Sequence, residues 1–227
     1  MILRNLLSDG DPMEILQSIV FSLVAILIAM TFHECAHAFA AYKCGDPTAK
    51  MLGRMTLNPM KHINVTGMVL MLLFGFGWAS PVIITPQNFK NKRVGLVVTA
   101  AAGPLTNLIL CFVSLCIHVA FAIFSFMNEG NGILSNLSIL FFDIAMYNMS
   151  FAIFNLLPVP PLDGSKIVAG FLPLKWQRKY LYLERYHYII FFVLVIVLNF
   201  LDFLSPLMMM LYGAFYEIIF RLIGLFL

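Results

Sequence analysis

Residues 15–41 read ILQSIVFSLVAILIAMTFHECAHAFAA. The stretch is apolar and longer than the roughly 20 residues a helix needs to cross a bilayer. Near its end it carries His33-Glu34-Cys35-Ala36-His37, an HExxH motif. On a helix, residues four apart share a face, so His33 and His37 can bind one metal ion. Glu34 stands beside them, where it can take a proton from a metal-activated water. Ionisable groups at membrane depth are costly and mark function by default. A purely structural histidine pair leaves the buried glutamate unexplained.

The composition agrees with a membrane setting. The chain of 227 residues is 61% hydrophobic and 11% charged, against roughly 45–50% and about 25% in soluble domains. A net charge of +3 is too small to suggest a nucleic-acid partner. The four cysteines form no CxxC pattern and are expected as free thiols. Cys35 lies on the opposite side of the helix from the histidines and is not a ligand. Arg4, Asp9, Asp11 and Glu14 do not make the positive start of a signal peptide. The first helix is therefore expected to stay in the mature protein.

Working outward, the first helix spans Pro12 to Tyr42, and a polar loop follows to His62. Val65 to Trp78 is apolar but short, and Gly67, Gly75 and Gly77 interrupt it. Pro81 to Pro86 reads as extended. Further apolar runs cover Val94–Met127, Ile133–Leu157, Tyr188–Phe203 and Leu207–Leu227, with Pro158 to Gly164 breaking the chain after the second. Placing loops 43–62, 80–93 and 163–185 on one side gathers all the Lys and Arg there except Arg4 and Arg221. The positive-inside rule makes that side cytoplasmic. This layout requires Val65–Trp78 to be re-entrant, a path tolerated where it is buried or lines a cavity. The expected fold is an all-α integral membrane protein with about five transmembrane helices, one re-entrant segment and the N-terminus outside. It forms a single domain over residues 1–227, with a catalytic core over 12–172 and a C-terminal helical pair over 186–227.

Two histidines leave zinc short of one protein ligand and one open position. Asp143, Asp163 and Asp202 are the acidic candidates in or beside the later spans. Asp143 and Asp202 lie towards the outer side, whereas Asp163 follows a span that ends at the level of His33 and His37. Prolines before it stop the helix, and Gly164 after it permits an unusual backbone. Two neutral imidazoles and one carboxylate leave a zinc site at +1, which ionisation of its water neutralises.

The pairing of His33-Glu34-x-x-His37 with Asn155-Leu156-Leu157-Pro158-x-x-x-x-Asp163-Gly164 resembles the site-2 protease family of intramembrane zinc metalloproteases. Gly45-Asp46-Pro47-Thr48-Ala49, Gly53-Arg54-x-Thr56-Leu57-Asn58-Pro59, Gly77-Trp78-Ala79-Ser80-Pro81-Val82 and Ala102-Gly103-Pro104-Leu105-Thr106-Asn107-Leu108 are similar to its compact prokaryotic branch, without PDZ or CBS domains. The resemblance covers roughly residues 15 to 170. Asn64 and Ser80 depart from it, where many relatives carry an aspartate and a basic residue. It implies that His33, His37 and Asp163 bind one Zn2+ and that Glu34 is the general base. Asn155 then sits near the site and holds the substrate carbonyl or the oxyanion; its own sequence context fits a helix cap equally well. The family also suggests that pieces near 50–57 and 81–86 form a small β-hairpin or sheet on the cytoplasmic side, to which a substrate strand adds. The implied partners are a transmembrane protein substrate and the lipid bilayer, in a prokaryotic plasma membrane.

Two other classes compete. A metal-ion transporter would line a path with polar groups from both faces, whereas the candidates here gather at one level. A non-catalytic membrane adaptor of the same fold has no need of the complete set His33, Glu34, His37 and Asp163. Elsewhere, His62 is expected to make a structural hydrogen bond, His118 to pack between helices and His187 to sit in an interfacial aromatic belt. Small residues at Ala100–Gly103 let helices approach closely. Asn107 can either bridge helices or support the site.

Overall fold

A computed structural model describes residues 11–74, 77–201 and 204–224. The chain begins with α1, Pro12–Lys43, started by Asp11, whose carboxylate accepts from the Met13 N–H at 3.0 Å, with Pro12 and Glu14 in the first turn. These are the residues a helix N-terminus favours. It ends at Cys44, before Gly45 at φ 108°. The short helices α2, Thr48–Met51, and α3, Val65–Phe74, follow. Two long helices come next, α4, Lys92–Met127, and α5, Gly132–Leu156. Asn91 and Asn131 cap them, each side-chain oxygen accepting from two amides of the first turn. Then come α6, Asp163–Phe171; α7, Leu174–Leu181; α8, His187–Leu201; and α9, Leu204–Gly224.

The two long helices α4 and α5 pack most extensively on each other, and α1 lies across both. Cys111, Leu115 and Val119 of α4 meet Ala145, Met149 and Ile153 of α5, with Ile219 of α9 closing the cluster. The outward face of α4 exposes Leu105, Ile109 and Val113, four residues apart. Such an apolar stripe on a helix surface suits lipid. Among the described residues, five helical segments are long and apolar enough to cross a membrane: Pro12–Lys43, Lys92–Met127, Gly132–Leu156, Leu174–Val197 and Leu204–Gly224. This matches the expected number of spans. The fourth starts earlier than expected, because the charged stretch from Lys175 to Arg185 is itself helical. Pro206, which falls between the last two apolar runs of the sequence, sits in the first turn of α9, where its missing N–H costs nothing.

Two expectations are not supported. The β-hairpin is absent, with no strand among the described residues. Residues 50–57 are the end of α2 and a turn through Gly53 at φ 65°. Residues 81–85 form no strand, and two of their amides turn to side chains: Val82 N–H donates to Glu34 and Thr85 N–H to Asp46. The re-entrant segment is not supported either. Over Val65–Phe74 it is a ten-residue helix, about 15 Å long, half the bilayer core. Its two ends are tied together, Ser80 donating to the carbonyls of His62 and Ile63 at 2.8 and 3.1 Å. Gly67 lies directly against the backbone of Trp78, leaving no room for a side chain.

Candidate metal centre and active site

The α1 helix buries His33, Glu34 and His37 together. The histidine rings meet edge to face, centroids 4.5 Å apart, with their Nε2 atoms 3.0 Å from each other. Asp163, the first residue of α6, points Oδ2 at both, 3.1 Å from His33 Nε2 and 3.0 Å from His37 Nε2. The break from Pro158 to Leu162 between α5 and α6, which includes a cis Pro160–Pro161 bond, makes this return possible. Gly164 packs against the carbonyls of Leu156 and Leu157. Its role is thus close approach, not the unusual backbone expected from sequence. Asp143 is not part of this group, and Asp202 lies outside the described residues.

The three donor atoms form a nearly equilateral triangle. Ligands about 2.0–2.1 Å from a tetrahedral zinc lie about 3.3 Å apart. The cluster needs to widen by only a few tenths of an ångström to hold the ion. Among the described residues this is the group of three or more His, Cys, Asp or Glu close enough to do so.

Both rings are fixed from behind. His33 Nδ1 is 2.6 Å from Asn107 Oδ1, and His37 Nδ1 is 2.7 Å from the Thr99 carbonyl. Both partners are acceptors, so each Nδ1 carries the proton and each Nε2 keeps a lone pair that a metal ion could take. The orientation of Asn107 is set in turn. Its amide donates to the Ala29 carbonyl at 3.1 Å and to Asn148 Oδ1 at 2.7 Å, and Asn148 donates to the Ile144 carbonyl at 2.8 Å. Asn107 thus bridges three helices and supports the site, joining the two roles its sequence position left open. Asn148 and the Thr99 carbonyl were missed. An amide deep in an apolar helix is the signal for the first; the second has none, since Pro104 frees the carbonyl of Ala100 rather than that of Thr99.

Gly103 explains the expected close approach of α4. A Cβ there would sit 2.5 Å from His37 Nε2 and 2.7 Å from His33 Nε2. The glycine keeps clear the space where the ring nitrogens converge.

Glu34 is 8% exposed and Oε2 accepts from the Val82 N–H at 2.9 Å. Together with His33, His37, Asp163 and Asn155 it lines one cavity of about 1190 Å³. Asn155 lies in the wall, and its amide donates to the Phe151 carbonyl one turn back at 3.0 Å, a bond within its own helix, whose C-cap is Leu157. His62 is fully buried and its Nε2 meets the Thr56 carbonyl at 2.9 Å. His118 joins Ser138 across α4 and α5 at 2.9 Å. Both are structural, as the sequence suggested.

The sequence profile of peptidase family M50 matches residues 21–137 and 122–201. The chain belongs to peptidase family M50. This is the site-2 protease family that the motifs resemble. The chain is 38% identical over 176 residues to a Bacillus subtilis protein named "Putative zinc metalloprotease YwhC", covering 78% of this chain and 80% of that one. It is 31% identical over 160 residues to the similarly named MJ0611 of Methanocaldococcus jannaschii, covering 70% and 71%. With the similarly named Rip2 of Mycolicibacterium smegmatis it shares 25% over 191 residues, covering 82% and 70%. No solved structure matches the chain at a significant level. Family membership and five apolar helices make this an integral membrane protein.

Proposed function

We propose that the protein is an intramembrane zinc endopeptidase that cleaves transmembrane segments of other membrane proteins near the cytoplasmic leaflet. The observation that carries this reading is the convergence of His33, His37 and Asp163, three buried ligands from two distant segments, on a cavity that Glu34 also lines. The relatives' names as zinc metalloproteases support the choice of metal. Zinc held there supplies a Lewis acid that polarises the scissile carbonyl and makes water acidic near neutral pH.

The chain's own residues do the rest. Asn107 and the Thr99 carbonyl hold the Nε2 atoms of the two histidines towards the ion. Glu34 takes the proton of the attacking water and delivers it to the leaving amine. The Val82 N–H holds Oε2 and so fixes the direction of the carboxylate. Asn155 faces the substrate, and the bond from its amide to Phe151 is one that a substrate carbonyl can replace. The apolar cavity wall accepts a membrane-spanning segment, whose helix must open before its peptide bond is reached. Val65–Phe74 is too short to cross, and Ser80 ties back to His62. The basic loops before and after it therefore share one side of the spans, which supports an active site towards the cytoplasmic face of a prokaryotic plasma membrane. In this reading residues 12–172 carry the chemistry, within one membrane domain that the pair 186–227 completes.

The test is Glu34→Gln on purified protein with single-span reporter segments. The variant is expected to keep its zinc and to cleave 10² to 10⁴ times more slowly, roughly the contribution of a general base. Cleavage at the wild-type rate would remove Glu34 from the mechanism.

A further inference from the structure

Lys166 has no part in the reading above. Among the described residues it is the one Lys or Arg that lines the cavity. It lies one turn after Asp163 on α6, and its Nζ is 3.7 Å from Asp163 Oδ1. The other oxygen of that carboxylate, Oδ2, is the atom 3.0 and 3.1 Å from the two histidine nitrogens. The two oxygens of one ligand are therefore divided, one towards a cation and one towards the metal position.

That division matters because a carboxylate can ligate through one oxygen or through two. A catalytic zinc keeps three protein donors and one open position. If both oxygens of Asp163 bound, the protein would supply four donors and take the position that water and substrate need. We infer that Lys166 is a positioning residue, which holds Oδ1 of Asp163 away from the metal so that Asp163 ligates through Oδ2 alone. This rests on the metal site proposed above. The Lys166 side chain is 34% exposed, and an ion pair that open to solvent adds little stability. Its loss should therefore alter coordination without unfolding the protein.

Cobalt(II) in place of zinc tests this without any substrate. A four-coordinate cobalt site gives intense visible d–d bands, and a fifth donor weakens them. Wild type, Lys166→Arg and Lys166→Gln are each loaded with Co2+, with bound cobalt per chain measured beside the spectrum. The expected result is one cobalt in all three, intense bands in wild type and Lys166→Arg, and weakened, shifted bands in Lys166→Gln. Identical spectra in all three would overturn the inference and leave the metal site standing. Loss of cobalt from Lys166→Gln would make Lys166 a structural residue, and would also overturn it. Failure of wild type to bind cobalt would remove the metal site, and the inference with it.

Discussion

Asn107 uses every polar group of its side chain: the oxygen on His33 Nδ1, the amide on the Ala29 carbonyl and on Asn148. Removing it leaves His33 free to turn and to change tautomer. Loss of a hydrogen bond to the outer nitrogen of a metal-bound histidine typically weakens metal binding 10- to 100-fold. Asn107→Ala is therefore expected to lower zinc affinity by roughly that factor in a chelator competition, with the helical content retained. Unchanged affinity would mean that His33 needs no support from behind. At this scale the convergence of His33 and His37 was legible from spacing alone, because i, i+4 geometry on a helix leaves little freedom. Their supports were only partly legible: Asn107 was a candidate without an assigned partner, and a main-chain carbonyl such as that of Thr99 has no sequence pattern of its own. Asn155 shows the converse, since a residue can match a family motif while its amide satisfies its own helix.

Among the elements, the turn after α1 and the extended segment before α4 hold each other through one carboxylate. Asp46 is fully buried. It accepts from the Thr48 N–H and hydroxyl at 3.1 and 2.5 Å, from the Thr85 N–H at 2.7 Å and from the Asn88 amide at 2.9 Å. Burial alone would raise its pKa, but these donors outweigh it and hold the carboxyl below the ordinary range. A group whose folded-state pKa is depressed stabilises the fold above its unfolded value, about 3.9, and loses that contribution as pH falls through the folded value. The protein should therefore lose stability on acidification below about pH 4, read as a falling thermal midpoint. Asp46→Asn should be less stable at pH 7, on the order of 3 kcal/mol, and should show less of this acid loss. An unaltered acid limb in Asp46→Asn would assign it to other carboxylates. The same segment carries the Val82 amide that holds Glu34. Sequence marked the segment, which holds no regular structure up to Thr85, as non-helical from the prolines at its ends. It could not reveal that side chains, not a paired strand, satisfy these amides, because Asp46 and Glu34 lie 39 and 48 residues from Thr85 and Val82.

For the molecule as a whole, hydropathy and charge fix the number of spans, and the three-helix core of α1, α4 and α5 fixes what they enclose. The number was legible because an apolar stretch of about 20 residues has few alternatives to crossing a bilayer. The start of the fourth segment was not, because charged residues continue a helix as readily as apolar ones. That Asp163 meets the two histidines was legible from its level in the membrane, not from its local sequence; its choice as the third ligand is our proposal. That choice joins α1 to a helix 126 residues later, and it is the central claim. The most direct measurement is zinc per purified chain, with wild type beside Asp163→Ala. About one zinc in wild type, lost or strongly weakened in the variant, is the predicted result. Equal zinc in both, or none in wild type prepared without chelators, would contradict it.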